Sequence, residues 1–100
     1  MAYELVIAPA AEFQLQQAVY WHEEQEAGLG EKLNADVREK FLQILQNPLI
    51  YRIRTRRLRS ARLKQFSAYA IYFRVTDEKI VVYSFFHASR NPSDLKKNLP

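Results

Sequence analysis

Cysteine is absent from this 100-residue chain, and glycine, with two residues, and histidine, with two, are scarce. Without cysteine there is no disulfide framework and no thiolate metal site, a composition that fits a reducing compartment. The two histidines lie far apart in sequence, and no carboxylates pair at ligand spacing, so no metal constellation of another kind is expected. Two glycines cannot build a glycine-rich phosphate loop. No apolar run approaches the ~20 residues that a membrane-spanning helix needs. The opening MAYELVIAPA is too short and too polar-flanked for a secretory signal. The expectation is one cytoplasmic domain over residues 1–100, with no cofactor, no metal and no membrane partner.

What the chain does have is apolar content of 48%, enough for one modest core, and a net charge of +4. That charge is segregated. From Lys40 through Thr76 there are nine of the fifteen basic residues and none of the eleven acidic ones. The densest part, RIRTRRLRSARLK, carries Arg52, Arg54, Arg56, Arg57, Arg59, Arg62 and Lys64. Like charges packed together add little stability, so such a zone is expected to face a polyanion or an acidic partner. The alternative is a solvated strand and loop, because neighbouring strand residues project to opposite faces and some of these arginines point away.

In chain order, YELVIA at Tyr3–Ala8 reads as a strand stopped by Pro9. Its consecutive Leu5, Val6 and Ile7 suggest an inner position. Pro9 then suits the first turn of a helix running to about Ala27, with Ala11, Leu15, Ala18 and His22 as its stripe, widened by Val19 and Trp21. Glu23, Glu24 and Glu26 fall at the unfavourable end of that helix's dipole, and Glu23 and Glu24 read as a solvated face. Gly28 supplies a left-handed stop, and a second helix from about Glu31 to Gln46 folds back, burying Leu33, Val37, Phe41, Ile44 and Leu45. Lys32, Asp36, Glu39, Lys40 and Gln43 fall off that stripe.

Asn47-Pro48 ends the second helix, and Leu49 to about Thr55 reads as loop. A strand with broken alternation follows from about Leu58 to Phe66. Tyr69–Val75, a turn at Thr76–Lys79 and Ile80–Phe86 form a central hairpin. Asn91–Pro100 is a polar tail with one helical turn around Pro92–Lys97. The sum is an α+β domain in the order β-α-α-β-β-β: a curled, mainly antiparallel sheet with a helical hairpin on one face.

The final strand exits into Phe86-His87-Ala88-Ser89-Arg90-Asn91-Pro92. His87 is, by its imidazole, a candidate general acid or base, and Arg90 a candidate phosphate fork. If Arg57, Arg59 or Arg62 stands beside them, the group has the parts for phosphodiester cleavage, with arginines neutralising the phosphate and a base activating a 2′-hydroxyl. The structural alternative is a histidine bonded to a backbone carbonyl and an arginine tying down the tail. His22, on an apolar stripe, reads as a satisfied, partly buried imidazole. The aromatics of the last two strands read mostly as core, with Tyr72 or Tyr83 as an exception on an open face.

These pieces, in this order, resemble the RelE/ParE superfamily of small basic toxins from type II toxin–antitoxin modules. The likeness rests on Ala11–Leu15, WHEEQEAGLG at Trp21–Gly30, Asn47-Pro48, RSARLKQF at Arg59–Phe66, AIYFRV at Ala70–Val75 and FHASRNP at Phe86–Pro92. It covers almost the full chain. Two departures stand out: Phe66-Ser67-Ala68-Tyr69 replaces the family's F-P-Y, and the first helix lacks a polar cap. The resemblance implies a curled sheet under a helical hairpin and a cognate antitoxin forming a hetero-oligomer with the toxin. It also implies one of two targets, DNA gyrase for ParE-like members or ribosome-bound mRNA for RelE-like ones. The catalytic candidates it matches are Arg59, Arg62, His87 and Arg90, with Arg54, Arg56, Arg57, Lys64 and Tyr72 as target-binding candidates. The alternative is a non-toxic nucleic-acid- or ribosome-binding module on the same fold. Either way, the expectation is a positive hollow where these arginines meet the exit of the last strand.

Overall fold

The computed structural model describes residues 3–87. Arg90 and the helical turn expected at Pro92–Lys97 lie outside them. The elements are β1 (Glu4–Ile7), α1 (Pro9–Gln25), α2 (Leu29–Gln46), a 3-10 turn (Pro48–Ile50), β2 (Ile53–Thr55), β3 (Leu58–Arg62), β4 (Tyr69–Val75) and β5 (Lys79–His87). They build one open sheet in the order β1-β5-β4-β3-β2, with β1 parallel to β5 and the other pairs antiparallel. The β4–β5 hairpin is central, as expected.

Two strand assignments differ from expectation. β1 sits at an edge rather than inside the sheet. Its Leu5, Val6 and Ile7 are all half-buried, but cover over both faces says nothing about neighbours on both sides. β2 stands where a loop was expected, because the turn that joins it to β3 is Arg56-Arg57 and carries none of the usual turn residues.

The helical hairpin depends on its two glycines. Gly28 adopts φ +90°, and a Cβ on Gly30 would lie 2.9 Å from the Val19 carbonyl oxygen, so α1 and α2 cross too closely there for any side chain. The Glu23 carboxylate accepts the backbone N–H groups of Gly28 at 2.9 Å and Gly30 at 3.0 Å. Glu23 is exposed, as expected of a solvated face, and it also caps the start of α2 and favours that helix's dipole.

Asp36 also departs from expectation. It is 4% exposed, and its carboxylate accepts the backbone N–H groups of Gln65 and Phe66 at 3.0 and 2.8 Å. Those bonds draw the chain off the sheet toward α2, which is why β3 ends at Arg62 and not at Phe66.

The core lies between the helices and one face of the sheet. Leu33, Val37 and Ile44 of α2 and Ala11 and Ala18 of α1 pack on Ala61, Ile71, Phe73, Ile80, Val82 and Phe85. The pairing of β5 shifts by one residue opposite Tyr72 and Phe73. Past this bulge Phe85, rather than Ser84, continues the core-facing row. The Gln14 side-chain oxygen holds the irregularity by accepting from the Ser84 hydroxyl at 3.1 Å and the Phe85 N–H at 2.9 Å.

Candidate functional site

The basic zone folds into the β2–β3 hairpin and the residues just after it. Arg52, Arg54, Arg56, Arg57, Arg62 and Lys64 are exposed. Among the described residues no carboxylate forms an ion pair with Arg52, Arg54, Arg57, Arg62 or Lys64; the pair found there joins Arg38 to Glu31 on α2.

The tip of the hairpin is strained. Thr55 pairs with Leu58, leaving Arg56 (φ 46°) and Arg57 (φ 64°) as a two-residue turn with both residues left-handed. Asparagine and glycine adopt that conformation at small cost, whereas arginine does not. The Arg74 guanidinium supports the turn from β4 by donating to the Arg56 carbonyl at 3.1 Å and lying over the Tyr83 ring at 5.3 Å.

Strand register decides which of the candidate residues share a face, since cross-strand partners point the same way. Arg62 is registered with Ala70, and Ala70 with Phe86; Ser60 is registered with Tyr72. These residues, with Arg74, form the sheet face away from the core. Tyr72 lies on that face against Phe86, with ring centres 6.4 Å apart. His87 is registered with Tyr69, on the opposite, helix-side face.

Arg59 also points to the helix side, in register with Phe73. Its guanidinium donates to the Tyr51 carbonyl at 2.6 Å and the Leu49 carbonyl at 3.4 Å, pinning the segment before β2. The structure thus brings together Arg54, Arg56, Arg57, Arg62 and Lys64 around one hairpin. It does not bring Arg59 or His87 to them, and the expected hollow shared by Arg59, Arg62 and His87 is not formed. Alternation along β3 separates neighbouring arginines, and the bulge in β5 decides which way His87 faces.

His87 joins a different group. Its ring meets Tyr69 edge-on at 4.9 Å, and Tyr69 stacks on Phe85 at 4.8 Å. The Tyr69 hydroxyl shares a 3.2 Å hydrogen bond with Nε2 of His22. His22 is the partly buried, satisfied imidazole that its place on the stripe implied. Burial, and then the neighbouring His87, push its pKa below the ordinary histidine value.

This cluster forms the floor of a cleft of 770 Å³ between α1 and the end of β5. Phe13, Tyr20 and Trp21 form its α1 wall. Trp21 was expected in the core and is instead 57% exposed. The sequence signal for this wall is the spacing of Phe13, Gln17, Tyr20 and Glu24, a second helical stripe beside the apolar one.

Comparison with known proteins agrees with this architecture. No curated protein sequence matches the chain. A solved structure described as a chromosomal ParDE TA system from P. aeruginosa is similar in fold, with a TM-score of 0.70 at 20% identity, over 88% of this chain and 98% of that one. The profile of the family described as "ParE toxin of type II toxin-antitoxin system, parDE" matches residues 5–92. This match runs from β1 to just past β5, so the chain belongs to the ParE toxin family of type II toxin–antitoxin systems.

Proposed function

We propose that this toxin arrests growth by binding and inhibiting DNA gyrase, as ParE-like toxins do, and not by cutting ribosome-bound mRNA. The observation that carries this reading is the strand register, which sets Arg62 and His87 on opposite faces of the sheet. Cleavage beside a 2′-hydroxyl needs a base within about 3 Å of that hydroxyl while cations clamp the same phosphate. An imidazole behind the sheet cannot serve a phosphate held by Arg62. Inhibition by binding needs only a complementary surface, and the β2–β3 hairpin offers one.

Arg54, Arg56, Arg57, Arg62 and Lys64 are the target-contacting residues in this reading, with Tyr72 beside them. The left-handed turn supports it, because backbone strain of this kind collects where a binding element must be held in shape. A cognate antitoxin in the same cytoplasm neutralises the toxin by forming a hetero-oligomer with it.

The test is induction in bacteria carrying a DNA-damage reporter, with primer extension on ribosome-bound mRNA in parallel. Growth arrest with reporter induction and intact mRNA is expected. Codon-linked cuts that disappear in His87→Ala would replace this reading with ribosome-dependent RNA cleavage.

A further inference from the structure

The cleft beside α1 is separate from the basic hairpin and, among the described residues, differs from it in charge. It exists because β1 pairs only with Lys79–Val82. Beyond Val82, β5 runs on without β1 at its side, and α1 lies against it there, with Gln14 accepting from Ser84 and the Phe85 N–H. The cleft wall carries Phe13, Tyr20 and Trp21, which are 63%, 67% and 57% exposed. Tyr69 and Phe85 form its floor, and among the described residues Glu24 is its one carboxylate. Among the described residues no lysine or arginine lines it, and α1 contains none along its whole length. Its histidine on α1, His22, is held toward the neutral form and so does not cancel Glu24.

Aromatic faces present negative potential, and a guanidinium can stack on them while its edge forks to a carboxylate. A purely apolar occupant would cover Glu24 without pairing it, at a desolvation cost. We propose that this cleft receives an arginine side chain, flanked by apolar residues, from the antitoxin segment that wraps the toxin. The aromatic walls hold the apolar flanks and the faces of the guanidinium, and Glu24 takes its N–H groups. The identity of the partner rests on the toxin reading above; the chemistry of the cleft does not.

Trp21 is the chain's only tryptophan, so its emission reports occupancy directly. The probes are three acetylated tripeptide amides: leucine–arginine–leucine, the same peptide with neutral citrulline in the centre, and the same with glutamate. Titrated into the isolated toxin at pH 7.5 and low salt, the arginine peptide should shift the Trp21 emission. It should bind about fivefold tighter than the citrulline peptide, with the glutamate peptide weakest. Glu24→Gln should erase the difference between arginine and citrulline.

Equal affinity for arginine and citrulline would mean an apolar occupant and overturn the proposal. So would an arginine preference that survives Glu24→Gln, or no change in emission with any peptide. None of these readouts involves gyrase, so the cleft and the toxic mechanism stand or fall independently.

Discussion

Replacing Arg57 with glycine should stabilise this protein while making it a weaker toxin. Arg57 holds φ 64° at the tip of the hairpin. A left-handed conformation costs a residue with a Cβ about 1–2 kcal/mol, and glycine carries no such penalty. Against that, glycine adds freedom to the unfolded chain worth about 0.4–1 kcal/mol. The net expectation is a gain of about 0.5–1 kcal/mol, or a rise in Tm of roughly 2–8 °C for a domain of this size. The Arg74 bond to the Arg56 carbonyl is made to backbone and survives the change.

The assay is thermal unfolding followed by circular dichroism, with Arg57→Ala as the control. Alanine removes the same charge but keeps the left-handed penalty, so it should not raise Tm. Gyrase inhibition should weaken in both variants, since both lose a charge from the tip. A glycine variant no more stable than the alanine variant would refute the claim that the turn stores strain.

Asp36→Ala should destabilise by about 2–3 kcal/mol in urea unfolding, because the N–H groups of Gln65 and Phe66 lose their shared acceptor. Gly30→Ala should cost about 1–3 kcal/mol, since the new methyl group meets the Val19 carbonyl at 2.9 Å. Its Tm should fall even though alanine is the better helix former. His22 has a folded-state pKa below its unfolded value, so the unfolded chain binds the proton first. Stability should therefore fall as pH drops below about 6.5 and level off once the folded-state pKa is passed. His22→Gln, which keeps a partner for the Tyr69 hydroxyl, should flatten that slope.

Local pattern was enough for much of the fold. The apolar stripe of α2, the stop at Gly28 and the alternation of Tyr69, Ile71, Phe73 and Val75 each follow from a short stretch of chain, and all appear in the structure. The features that were not legible depend on partners far away in sequence. Asp36 looks like a surface residue of a helix until Gln65 and Phe66 arrive with unpaired N–H groups. The bulge that turns His87 toward the helices is held by Gln14, some seventy residues earlier. The capping role of the exposed Glu23 is not visible from its own helix, because the dipole it serves belongs to the next one. β2 was missed because two arginines occupy a turn that glycine and asparagine normally mark. The basic zone was visible at once from composition. Its division between Arg59, bound to backbone carbonyls, and Arg62, on the opposite face, needed the register of β3.

The most direct test of binding without catalysis is a gyrase supercoiling assay with purified toxin, titrated as wild type, His87→Ala and the double variant Arg57→Glu/Arg62→Glu. Wild type and His87→Ala should inhibit at the same concentration, and the double variant should need at least about tenfold more, through the loss of charge-assisted contacts and of electrostatic attraction. Inhibition that vanishes with His87→Ala, or that is untouched by charge reversal at the hairpin, would contradict the account.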